Sequence, residues 1–170
     1  SNAEAQYSAW QIVMEQASML QQTVGAIPEV AGWYAYYLEP TFHEVWINSV
    51  TYTARNIFTD TMIASGISMN TATLVIDPLS FAAQLPNPGD PLALINDSLS
   101  ILLRYPLSDT VIAAIKQSIL LSGQTNDYYW TSAWSDYIAN PGNAMAKDIV
   151  LTRLKALYKY IMNLPEYHLS

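Results

Sequence analysis

Cysteine is absent from the 170 residues, which excludes a disulfide framework, a thiolate nucleophile and any sulfur ligand for zinc. Histidine is nearly absent too, with only His43 and His168. Positive charge is scarce: seven Lys and Arg stand against fourteen Asp and Glu, a formal net charge of -7, and the first basic residue is Arg55. Nucleic acid recognition needs a basic surface to neutralise phosphates, so that function class is excluded. Lys147, Arg153, Lys155 and Lys159 do gather on one late segment, where they read as the solvated face of a helix. No apolar run approaches the roughly 18 residues that a membrane span requires. No glycine-rich phosphate loop is present.

What is present is a chain 51% hydrophobic, long enough for one domain with a sizeable core. Ser1-Asn2-Ala3 reads as the remnant of a cleaved expression tag and is set aside; residues 4–170 are expected to form a single helical domain. The first helix is expected over about Tyr7 to Val24, where Trp10, Val13, Met14, Ala17, Leu20, Gln21 and Val24 recur at helical spacing and Gly25 offers a C-terminal cap. A second helix, capped by Asn48 or Ser49, is expected to run to about Ser65 with Val50, Ala54, Ile57, Phe58 and Met62 inward. Residues 67–76 are β-branched and polar by turns and fit either an extended segment or a short strand.

Two Asp-Pro-Leu triplets, at Asp77 and Asp90, announce helix starts. The carboxylate accepts free N–H groups of the first turn, and proline at the first helical position has no N–H to leave unpaired. Further helices are expected after Ser108, after Asp127 and after Asn143. The last buries Val150, Leu154, Leu157, Tyr158 and Ile161 and wets Asp148, Thr152, Lys155 and Lys159. About seven helices with short connections predict an all-α fold.

Residues 28–49, PEVAGWYAYYLEPTFHEVWINS, interrupt this pattern with two tryptophans, three tyrosines and a phenylalanine. The stretch is too rich in Pro, Gly and rings for a continuous helix and too apolar for a solvated linker. It is expected to be a core-forming connector anchored by Trp46. Within it, Val30-Ala31-Gly32-Trp33, then Trp46-Ile47-Asn48-Ser49, then a helix carrying Arg55 and Phe58, resemble the bacterial family catalogued as domain of unknown function DUF 1800. Pro106-Leu107-Ser108 and Leu164-Pro165-Glu166-Tyr167 resemble its C-terminal end. Ile27-Pro28-Glu29 and Tyr34 depart from the prolines common in relatives. The resemblance implies the C-terminal portion of a longer, exported or periplasmic protein, with the missing N-terminal portion of its own chain and an exported protein as partners. It supplies no catalytic residue.

The candidate sites are few. His43-Glu44 lacks the second histidine four residues on, since position 47 is Ile, so no metal site is expected. No serine sits in a nucleophile elbow, and Asp77 and Asp90 are occupied as caps. No cofactor is expected. The remaining constellation is Trp33, Tyr36, Tyr37, Glu39, His43 and Glu44, with Glu29 nearby, which is either a ligand or partner surface or the polar rim of a buried ring cluster. Two functions follow. One is a non-catalytic helical module for packing and interaction; the other is a carbohydrate-binding or carbohydrate-processing portion that uses the connector.

Overall fold

The computed structural model describes residues 2–23, 25 and 47–169. The fold is all-α, with eight α-helices and one two-stranded hairpin among those residues. The chain divides at the Ile76–Asp77 junction into two compact units.

In the first unit α1 spans Asn2–Met19 and α2 spans Ser49–Ala64, followed by β1, Ile67–Met69, and β2, Ala72–Leu74. Helix α1 begins earlier than its periodicity predicts, inside the tag remnant, and ends earlier: Gln21 takes a left-handed conformation at φ 59° before Gly25 is reached. Asn48 caps α2, accepting from the N–H groups of Val50 and Thr51, while the Thr51 hydroxyl accepts from the Asn48 N–H. This reciprocal arrangement satisfies three backbone donors at once. The undecided stretch 67–76 is an antiparallel hairpin with Ile67 opposite Leu74 and Met69 opposite Ala72. Asn70, at φ 50° in its turn, is a residue that tolerates such backbone. The Ser68 and Thr73 hydroxyls bond across the ladder at 2.8 Å. Gly66 permits the hairpin to start where it does: its φ is +78°, and a Cβ there would lie 2.5 Å from the Leu74 carbonyl oxygen.

Burial in this unit departs, on α2, from the inward face expected of the sequence. On α1 the buried residues are Ser8 and Ile12, and the hairpin packs on this helix. On α2 they are Thr51, Thr59 and Ile63, whereas Val50 and Ile57 are exposed. Threonine is tolerated there because its hydroxyl is satisfied locally: Thr59 donates to the carbonyls of Arg55 and Asn56.

The second unit holds α3 (Pro78–Ala83), α4 (Pro91–Leu102), α5 (Asp109–Ile115), α6 (Tyr128–Ala139), α7 (Ala144–Met162) and the short α8 (Pro165–His168). Asp77 and Asp90 each accept two first-turn N–H groups, as the sequence predicts, and Asn143 does the same at the start of α7. Ser108 precedes α5 without a side-chain cap, its hydroxyl bonding Thr110 instead. Helix α5 runs on into a π turn over Lys116–Leu120 before Gly123, at φ +85°, reverses the chain. Helix α7 is the centre. It packs against α3, α4, α6 and the π turn, and Val150, Leu154, Leu157, Tyr158 and Ile161 are all buried. Around it close Leu94, Ile95, Leu99, Leu120, Trp130 and Trp134.

Candidate functional site

The six residues singled out in the connector, Trp33, Tyr36, Tyr37, Glu39, His43 and Glu44, lie outside the described residues, as do Glu29 and Trp46. The second aromatic group, on α6, divides by helical phase. Trp130 and Trp134 are buried side by side, ring centroids 5.7 Å apart, while Tyr128 and Tyr129 are exposed. The Trp130 indole N–H donates to the Pro88 carbonyl at 2.8 Å, and the Thr131 hydroxyl donates to the Gly89 carbonyl at 3.2 Å. These rings are core and hold the 86–90 turn in place. They form no open stacking platform.

Four of the described ionisable groups hold the structure together. The Asp77 carboxyl is held below its ordinary range, chiefly by the hydrogen bond from the Ser80 hydroxyl. Burial opposes this, and the N–H groups of Ser80 and Leu79 together with the charge of Lys147 reinforce it. Tyr158 is pushed up to about 12 by burial, partly offset by the Ser98 hydroxyl 3.4 Å away, and its ring meets Phe81 edge to face. Lys116, at the start of the π turn, pairs with Asp127 at 2.9 Å and so ties that turn to the start of α6. Among the described residues no three His, Asp or Glu side chains converge to hold a metal, and no helix is long and apolar enough to cross a membrane.

Open clefts among the described residues include three. One of about 400 Å³ lies between α6 and α7, lined by Ala133, Asp136, Ala139, Asn143, Met145 and Ile149. A second, about 260 Å³, lies where α4 gives way to α5, over Leu99, Leu103, Tyr105, Pro106 and Ile112. The third, about 440 Å³, lies between α1 and the hairpin turn and includes Glu4, Tyr7, Ser8, Gln11 and Asn70.

The most distinctive surface is the outer face of α1. Tyr7, Trp10, Val13 and Met14 are 66%, 60%, 56% and 54% exposed, and the Tyr7 and Trp10 rings stand edge to face at 5.4 Å. Scattered apolar residues on a surface are ordinary, but a contiguous stripe of large ones marks an interaction site. Sequence periodicity finds Trp10, Val13 and Met14 at helical spacing without saying what covers them. Ser8 and Ile12, on the opposite side of the same helix, are the residues that the fold buries.

Comparison of the chain with protein-family models, with curated proteins and with solved structures returns no match.

Proposed function

We propose that this chain is a non-catalytic helical module for packing and interaction, the C-terminal part of a larger exported bacterial protein related to the DUF 1800 family. The short motifs around Gly32-Trp33, Trp46-Ile47-Asn48-Ser49 and Pro165-Glu166-Tyr167 support the relationship. The interaction role rests on the outer face of α1, whose four large apolar side chains are each more than half exposed while its opposite side is anchored in the fold. An apolar stripe kept in water costs solubility, and that cost is offset when a partner covers it. The partner is the remainder of the same protein or an exported protein that meets it. The carbohydrate reading draws on residues outside the described structure.

The test is binding of an environment-sensitive hydrophobic dye to the intact chain and to the Trp10→Gln/Met14→Gln variant. The exposed stripe should bind dye, and the variant should bind severalfold less with unchanged melting temperature, because surface changes move stability by less than about 0.5 kcal/mol. Dye binding that is unaltered in the variant would show that the stripe is no interaction face.

A further inference from the structure

The end of α5 concentrates two rare backbone features. The chain winds as a π turn over Lys116–Leu120, and Ser122 then takes a left-handed conformation at φ 53° immediately before Gly123 does at +85°. Only glycine adopts that backbone without steric cost. The Leu121 N–H bonds the Lys116 carbonyl at 2.9 Å, and the Gly123 N–H bonds the Gln117 carbonyl at 2.8 Å. So wound, the chain places Leu120 one turn beyond Ile115. Ile115, Leu120 and Leu121 are buried, Ile119 is half-buried, and Gln117 and Ser118 are exposed.

The sequence at this point is Ile119-Leu120-Leu121, three large aliphatic side chains in a row. An α turn closes at the fourth residue and a π turn at the fifth. Winding the stretch as α therefore puts Ile119 where Leu120 lies, Leu120 where Leu121 lies, and Leu121 where the exposed Ser122 lies. An isoleucine–leucine pair then stands in the core for a leucine–leucine pair, the kind of exchange that cores tolerate best. The Lys116 carbonyl keeps a partner, accepting from Leu120 in place of Leu121. The frame holds in both windings: Ile115 is 1% exposed, and the Lys116–Asp127 pair at 2.9 Å ties the two sides of the segment together. The residue released passes into 122–126, all exposed, where Ser122 returns to right-handed backbone and Gly123 alone reverses the chain. We propose that residues 116–122 move between these two registers, exchanging Leu121 for Ile119 in the core of the second unit. A bistable element of this kind lets a contact made on the surface be felt in the packing beneath it.

The chain has no cysteine, so a single introduced thiol reports on its own position alone. Leu120→Cys and Leu121→Cys are made separately, shown to be folded by circular dichroism, and reacted with a chromogenic aryl disulfide in the absence of denaturant. Both leucines are 0% exposed, and plain unfolding, local or global, uncovers both together. The register shift uncovers residue 121 and keeps residue 120 inside, so Leu121→Cys should react at least about tenfold faster than Leu120→Cys. Adding Ile119→Ala removes the side chain that fills the vacated place and should slow the Leu121→Cys variant severalfold. Adding Ser122→Gly should slow it too, because glycine relieves the left-handed cost borne by the π register. Equal rates for the two thiols would overturn the proposal, as would an Ile119→Ala change that leaves the Leu121→Cys rate unaltered or raises it. If either cysteine variant proves unfolded, methyl relaxation dispersion on the unaltered chain decides instead. Exchange is then expected at Ile119 and Leu121 and should vanish at Leu121 in Ile119→Ala, whereas flat profiles at both residues would refute the shift.

Discussion

Trp130 offers the sharpest measurement of how the second unit is held together. It is fully buried, stacks beside Trp134, and spans 42 positions of sequence to donate its indole N–H to the Pro88 carbonyl at 2.8 Å. Trp130→Ala removes the ring and leaves a cavity in a wall that includes Trp134 and the 86–90 turn. Emptying a buried Trp site costs about 3–5 kcal/mol, and the orphaned Pro88 carbonyl adds roughly 1 kcal/mol. The sum approaches the whole stability of a small unit, which lies at the lower end of about 5–15 kcal/mol. Trp130→Phe separates the two contributions: it keeps most of the apolar volume and loses the N–H, so it should cost about 1–3 kcal/mol. Urea denaturation followed by far-ultraviolet circular dichroism reads both. With a slope of about 2 kcal/mol per molar, the Ala variant should shift the midpoint by about 2–3 M and the Phe variant by about 1 M. Tyr128→Ala, at a residue 68% exposed on the same helix, should move it by less than about 0.3 M. If Trp130→Ala and Tyr128→Ala shift the midpoint equally at unchanged slope, Trp130 is not the keystone of this unit.

Two further outcomes follow from backbone geometry and from burial. Gly66→Ala should lower the melting temperature well beyond Gly123→Ala. Both glycines have positive φ, costing roughly 1–2 kcal/mol for any side chain, but only at Gly66 would the new Cβ strike backbone, 2.5 Å from the Leu74 oxygen. Equal losses would mean that the hairpin does not close against Gly66. Tyr158 predicts an alkaline transition. Its folded pKa of about 12 lies above the usual 10, so the folded state keeps a proton that the unfolded chain gives up. Its contribution, about 2–3 kcal/mol by linkage, is complete below pH 10 and is lost as pH rises towards 12. Tyr158→Phe should flatten that slope in a pH series of denaturant midpoints, and an unaltered slope would show that the alkaline loss arises elsewhere.

Local signals were legible in the sequence and choices between faces were not. Asp77, Asp90 and Asn48 announce their helices because a cap is decided within three residues of itself. The α7 stripe is readable because one side of that helix is apolar and the other carries Lys155, Lys159 and Asp148. Helix α1 offers no such contrast: Ile12 lies on one side, Trp10 and Met14 on the other, with only Glu4 and Glu15 charged. Periodicity then finds a stripe without saying whether the fold or a partner covers it. Helix α2 misleads for a different reason. Thr51 and Thr59 look polar in a sequence, yet each bonds its own helix and enters the core at little cost. The hairpin, with three residues per strand, is too short for alternation to declare itself. The connector, where the sequence places its candidate ligand surface, lies outside the described residues.

The π turn after α5 bears on how this chain should be compared with others in length. Ile115 and Leu120 are five positions apart and both buried. In an α-helix that spacing would turn them about 140° from one another, whereas the wider π turn brings them to within roughly 50°. A π turn is what an α-helix becomes when one residue is added without giving up its neighbours. A homologous chain with one residue fewer between Ile115 and Leu120 could therefore keep the same two contacts on an unbroken helix. A single-residue gap at this point would then record no change of fold, and an alignment that refused it would set every later position of the segment out of phase.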